Sequence, residues 1–254
     1  MEDPRRYCEQ QLICFTSTLA ATLVLFYVAL PLTRVNQMIL PLLLTLAVYP
    51  GFIWQVSQGK FRSAYLLVFS WAITLSLLTI HYAYTQGMQG AAAIAKGKEY
   101  TEEMFSWILT GRGAEGDPSL FIVPKLLEIT VFALSSLATA GFAGLFLGAY
   151  LLDYMNFYVG VLLLHASASH FFEVALLSWQ VYAILRVVGY VLLGTALSRI
   201  SWLIFTKRKL IVEEEVKRLL VYALIFIFFD FILKATLANT LYQPLLRQFT
   251  ELSP

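Results

Sequence analysis

Two of the three histidines in this 254-residue chain, His165 and His170, fall with Glu173 inside an otherwise apolar stretch, 162–173. Ionisable groups in such a setting are costly to bury and mark functional positions. Together with His81, at the end of an earlier apolar run, they offer three imidazoles and one carboxylate, a donor set suited to zinc or iron. His170 and Glu173 are three apart and share a helical face, whereas His165 lies partly off it. The spacing contains neither His-Glu-x-x-His nor a Glu-x-x-His repeat. A structural cluster, with Ser167 and Ser169 as hydrogen-bonding partners between helices, therefore stands beside the metal reading.

Three further charges interrupt apolar sequence: Arg186, Asp230 and Lys234. A hairpin turning near Trp179-Gln180 places Glu173 and Arg186 equally far from the turn, so pairing across two spans is expected, because either charge alone in lipid is expensive. Asp230 and Lys234, four apart on a helix, form a second expected pair, and an intramembrane carboxylate such as Asp230 also suits an ion-coupled transporter. Glu128 falls near a membrane boundary. No nucleophile elbow, phosphate-binding loop, haem-attachment motif or dinucleotide fingerprint is present.

The elements that must position these groups are helices in a membrane. Hydrophobic residues make up 59% of the chain and charged residues 13%, about half the usual share in a soluble domain. The apolar runs are continuous, which excludes a barrel, and long enough to cross the hydrocarbon core. The expected architecture is all-α, a polytopic helical bundle of about seven transmembrane helices in one integral membrane domain, 1–254. Its spans are expected at 12–32, 38–56, 63–84 and 126–152, a pair sharing 154–205, and 219–242. Pro50-Gly51 is expected to kink the second span, and Asp153-Tyr154-Met155-Asn156 reads as a turn between the fourth and fifth. The first segment lacks a small-x-small cleavage pattern and reads as a retained anchor.

Lysine and arginine set the orientation. Arg5, Arg6, Lys60, Arg62, Lys207, Arg208, Lys209, Lys217 and Arg218 gather on one side, which predicts a cytoplasmic amino terminus, an external carboxyl terminus and a place in the cell membrane. An outer loop, about 85–124, holds a short helix over 100–109, with Thr101 as its cap and Gly111-Arg112-Gly113 as its stop. The apolar surface of that helix suits it to lie on the membrane or to fold over the spans as a lid. A connector, about 206–218, carries Glu213–Lys217 and Glu214–Arg218 pairs at favourable helical spacing. Cys8 and Cys14 read as free thiols. The net charge of +2, with no basic stripe, gives no sign of a nucleic-acid partner.

Gly141, Gly144 and Gly148 form a small-residue stripe suited to close helix packing within the bundle or to a homodimer seam. From about 140 to 198 the chain resembles the stage II sporulation protein M-like family of membrane proteins. The likeness lies in Gly144-x-x-x-Gly148, in Asn156 with Gly160, in His170-Phe171-Phe172-Glu173, and in Gly189 and Gly194. The family's Pro-His-Gly before the glutamate is replaced here by Ser169-His170-Phe171. The resemblance implies a multi-pass protein that acts through partners in envelope remodelling, without a known active site.

Three functions fit these residues. The leading expectation is a non-enzymatic scaffold or subunit of an envelope-associated complex, in contact with the lipid bilayer and other membrane or envelope proteins, without a cofactor. The second is a small transporter or permease using Asp230, Glu173 and Arg186. The third is a metal-dependent membrane enzyme using His81, His165, His170 and Glu173.

Overall fold

A computed structural model describes residues 4–208 and 212–252, with side chains from residue 10 onward. The side chains of Arg5, Arg6 and Cys8, and Lys209, lie outside the described part. The chain is an all-α bundle, and seven of its helical segments are long and apolar enough to cross a membrane. That is the pattern of an integral multi-pass membrane protein. Its outward faces agree: Leu127, Leu134, Leu224 and Phe228 are all more than half exposed, an arrangement that lipid rewards and water does not.

The helices are α1 (Pro4–Leu32), α2 (Ile39–Ser57), α3 (Phe61–Gln86), α4 (Gly97–Thr110), α5 (Pro118–Ala138), α6 (Phe142–Leu164), α7 (Phe171–Ser178), α8 (Val181–Lys207), α9 (Glu214–Leu237) and α10 (Gln243–Phe249). A 3-10 turn, Gly87–Ala93, leads towards α4, and a π turn, Ala238–Tyr242, joins α9 to α10. Helix α2 runs through Pro50, and Gly51 lets Cys14 of α1 approach: a Cβ there would lie 2.8 Å from its sulfur. Cys14 is a free thiol.

The division into seven segments differs from the expectation over 118–207. The expected fourth span, 126–152, is the junction of two helices, α5 and α6, which turn back on each other at Thr139–Gly141. Ala140 and Gly141 take positive φ there, +49° and +91°. A side chain on Gly141 would run into Ser198 and Phe52, so glycine both makes the turn and lets it pack. The expected turn at 153–156 is the buried middle of α6 instead. The expected hairpin near Trp179-Gln180 is a break between the short α7 and the 27-residue α8. Because both hairpin assignments shift together, the number of segments is unchanged.

Helix α4 begins four residues before the expected cap. Thr101 is buried inside it and donates to Gly97 O at 2.7 Å. The residue at the cap position is Lys96, in left-handed backbone, and Gly111 stops the helix as expected, also in left-handed backbone. Met104, Trp107 and Ile108 are buried against α6, α7 and the α9–α10 segment. The helix therefore folds over one end of the bundle as a lid. Asn239 holds it: it accepts from Trp107 Nε1 at 2.8 Å and donates to Gly111 O at 3.1 Å.

At the opposite end Arg199 ties three helices together. Its Nη1 donates to Val56 O and Ser57 O at 2.9 and 2.7 Å, the carbonyl-rich end of α2, where a cation is favoured. Its Nε and Nη2 reach Glu213 at 3.1 and 2.7 Å. Glu213 is therefore not the partner of Lys217, which instead meets Glu214 at 3.3 Å on the surface. The buried guanidinium is the stronger claimant on the carboxylate, because it has no water to turn to.

Candidate functional site

The expected histidine cluster does not assemble. His81 is exposed on α3. His165 follows α6, its ring edge-on to Phe105 at 5.3 Å. His170 stacks on Phe249 with centroids 4.4 Å apart, and its Nδ1 is shared by the hydroxyls of Ser167 and Ser169 at 3.1 and 2.8 Å. Ser167 also donates to Phe249 O at 3.1 Å, so Ser167 fastens the 243–250 segment at the lid end. Among the described residues no three His, Cys, Asp or Glu side chains converge as metal ligands.

Glu173 is exposed on the first turn of α7, and the expected Glu173–Arg186 pair is absent. The break at 179–180 directs the two side chains apart, and Arg186 turns to Asp230 on α9. Its Nε lies 3.3 Å from Asp230 Oδ2 and its Nη2 3.5 Å from Oδ1. Lys125 of α5 reaches the same carboxylate at 2.5 Å in an ionic contact outside hydrogen-bond directions. The expected Asp230–Lys234 pair is also replaced. Lys234 lies one turn nearer the lid and binds Glu115 at 2.8 Å, while Tyr182 donates to the same carboxylate at 2.9 Å.

These contacts form a ladder. Tyr182, Arg186 and Tyr190 recur every four residues on one face of α8, spanning about 12 Å at 1.5 Å per residue. Each meets a carboxylate: Glu115 at the lid, Asp230 further in, and Glu128 deeper still, which accepts from Tyr190 at 2.6 Å. Lys234 and Lys125 supply the other two cations, so three positive groups face three carboxyl groups. Phe121 stands between the lysines, with Lys234 Nζ 4.8 Å and Lys125 Nζ 5.7 Å from its ring centre, and its electron-rich face favours both. Glu115 lies outside the spans. Burial opposes its charge, but Lys234 and Arg186, with hydrogen bonds from Lys234 and Tyr182, outweigh that and hold its carboxyl below its ordinary value of 4.5.

Beside the ladder lies a half-open cleft of about 320 Å³ between α3, α5, α6 and α8. Its walls are mostly apolar, from Val68, Phe132, Leu145 and Val191, and they run along α8 from Gln180 to Ser198. Arg186, Glu128 and Tyr190 belong both to this wall and to the ladder. Four other lining residues carry buried polar atoms with no hydrogen-bond partner: Trp71 Nε1, Ser136 Oγ, Tyr158 Oη and Gln180 Nε2. Interiors seldom leave such groups unsatisfied, since each costs on the order of 1–3 kcal/mol. Asn156 is satisfied, donating to Ser76 Oγ at 3.0 Å.

The glycines of the expected packing stripe have separate roles. Gly141 makes the turn and packs against Ser198 and Phe52, whereas Gly144 receives Ser136 across the α5–α6 hairpin. Gly148 has nothing within 4 Å of where its Cβ would be and opens on the cleft. Of the functional residues, Arg186, Asp230 and Lys234 were visible as charges in apolar runs. Glu115, Lys125 and Glu128 sit near helix ends or loops in sequence, and Tyr182 and Tyr190 carry no charge. The four-residue spacing of Tyr182, Arg186 and Tyr190 was the signal that could have found them.

Comparisons with protein-family models, with characterised proteins and with solved structures find no match to this chain.

Proposed function

We propose that this protein is a small membrane carrier whose substrate occupies the cleft between α3, α5, α6 and α8. The observation that carries this reading is Arg186, which lines the cleft and is also the middle rung of the ion ladder. A change in cleft occupancy is thereby coupled to the contacts that join α5, α8 and α9, the kind of two-state element a carrier needs. Intramembrane charge of this sort is expensive and is retained where it serves a pathway. A scaffold requires no interior site with unpaired polar groups. The positive-inside distribution orients the carrier in a cell membrane with the lid outside and the Arg199 end in the cytoplasm.

Alternating access supplies the test. Gln180 lies at the lid end of the cleft and Ser198 at the other, and both are buried. Cysteines placed singly at these positions, with Cys8 and Cys14 replaced by serine, are exposed to a charged, membrane-impermeant thiol reagent in sealed vesicles of known orientation. A carrier predicts slow labelling of Gln180→Cys from the lid side and of Ser198→Cys from the opposite side, because each end opens in turn. If neither thiol reacts from water, the cleft is not a permeation path and the carrier reading falls.

A further inference from the structure

We propose that the occupant of the cleft is an amphiphile from the bilayer, a long apolar chain ending in a head whose oxygens accept hydrogen bonds. The inference rests on the reading of the cleft as a substrate site and names the chemical class that site takes.

Length is the first argument. From Gln180 to Ser198 the cleft follows 18 residues of α8, about 27 Å at 1.5 Å per residue, close to the roughly 30 Å thickness of the hydrocarbon core. A compact polar solute fills little of such a path, whereas an extended hydrocarbon chain matches it. A volume of about 320 Å³ spread along that length leaves room for one extended chain.

Polarity is graded along that path. At the lid end stand Gln180 and Tyr158, 4% and 2% exposed, with Nε2 and Oη unpartnered. The Arg186 guanidinium follows six residues further along α8, and Asp230 occupies its Nε and Nη2. The one carboxylate on the wall, Glu128, lies deeper still and is engaged by Tyr190 at 2.6 Å. An oxygen-bearing head placed at Gln180 and Tyr158 therefore meets donors before it meets a competing acceptor. Beyond Tyr190 the wall is mostly apolar, with Val191, Leu145, Gly148, Gly194 and Phe132. The Thr195 and Ser198 hydroxyls donate to carbonyls one turn back along α8, and Ser136 Oγ packs against Gly144, so a chain there replaces empty space with contact. Trp71, also on the wall, places a fluorescent reporter beside the chain.

Gly148 gives the decisive variant, because its missing side chain faces open space. The full chain in mild detergent is titrated with cis-parinarate, a long-chain carboxylate that accepts excitation energy from tryptophan. Saturable binding of one probe per chain is expected, with weaker energy transfer in Trp71→Phe, where Trp179 on the same wall remains as a donor. Gly148→Phe plugs the cleft and should weaken binding by about tenfold or more. Val191→Phe plugs it from α8 and guards against a folding defect in either variant. Oleate should compete, and hexanoate, which has the head without the chain, should not.

Equal binding by wild type and both plugged variants would overturn the proposal, since the probe would then sit elsewhere. Competition by hexanoate as strong as by oleate would overturn it in favour of a small anion. Probe binding without thiol labelling from water would keep the amphiphile and remove the carrier, and labelling without probe binding would do the reverse.

Discussion

Arg186 and Asp230, 44 residues apart on α8 and α9, meet through two guanidinium nitrogens at 3.3 and 3.5 Å. Asp230 is 0% exposed and holds Lys125 at 2.5 Å as well, so one carboxylate balances two buried cations. That asymmetry decides what its removal costs.

Asp230→Asn leaves Lys125 and Arg186 facing each other in a low-dielectric interior. Breaking a buried pair in this way costs about 3–5 kcal/mol. Arg186→Met should cost less, because Lys125 still balances the carboxylate. In the double variant the losses should fall short of their sum, by about 0.5–3 kcal/mol. Reversible unfolding in mixed micelles measures all three. Additive losses would mean that the two side chains act independently.

Glu115 gives a pH dependence with a definite sign. Its folded carboxyl is held below 4.5 against burial by Lys234 and Arg186, with hydrogen bonds from Lys234 and Tyr182. A depressed carboxylate stabilises the fold above its ordinary value, and that contribution is lost as pH falls from about 4.5 through the lower folded value. The melting temperature of the wild type should therefore drop on acidification across that window. Glu115→Gln should melt lower at neutral pH and show a shallower acid limb. An acid limb of unchanged steepness in the variant would show that other carboxylates govern it.

The glycines separate packing from empty space. A Cβ at Gly160 would lie 2.5 Å from both Ala83 Cβ and the Ile80 carbonyl oxygen, where α3 and α6 touch. Gly160→Ala should cost about 1–3 kcal/mol through overpacking. Gly148→Ala meets nothing within 4 Å and should be neutral, or stabilising by up to about 1 kcal/mol through its helix preference. Melting curves of the two variants side by side check the contrast. A larger loss for Gly148→Ala would mean that its side of α6 is packed.

The class of fold was legible because continuous apolar length is what a helix in lipid requires, and α1, α2, α3 and α9 lie close to where hydropathy placed them. The α5–α6 turn was not. Thr139, Ala140 and Gly141 carry no charge and no proline, so nothing in their hydropathy marks the chain reversal. Asp153 and Asn156 imitate a polar turn but are buried in the middle of α6. Arg186, Asp230 and Lys234 stood out as misplaced charges, but their partners did not follow from sequence distance. Arg186 and Asp230 pair with each other across α8 and α9, the remaining partners, Lys125 and Glu115, come from α5 and the lid loop, and the shifted turn is what brings α5 against α8. Glu173 and the histidines were conspicuous by residue type alone, and the fold leaves Glu173 and His81 at the surface.

A density map of the full chain in lipid nanodiscs separates a substrate site from a packing defect in the cleft. A bound amphiphile should appear as a continuous elongated feature along α8, polar at Gln180 and Tyr158 and passing Gly148 towards Ser198. A cleft closed by its own side chains, with Trp71 Nε1, Tyr158 Oη and Gln180 Nε2 bonded to protein groups, would contradict a substrate site.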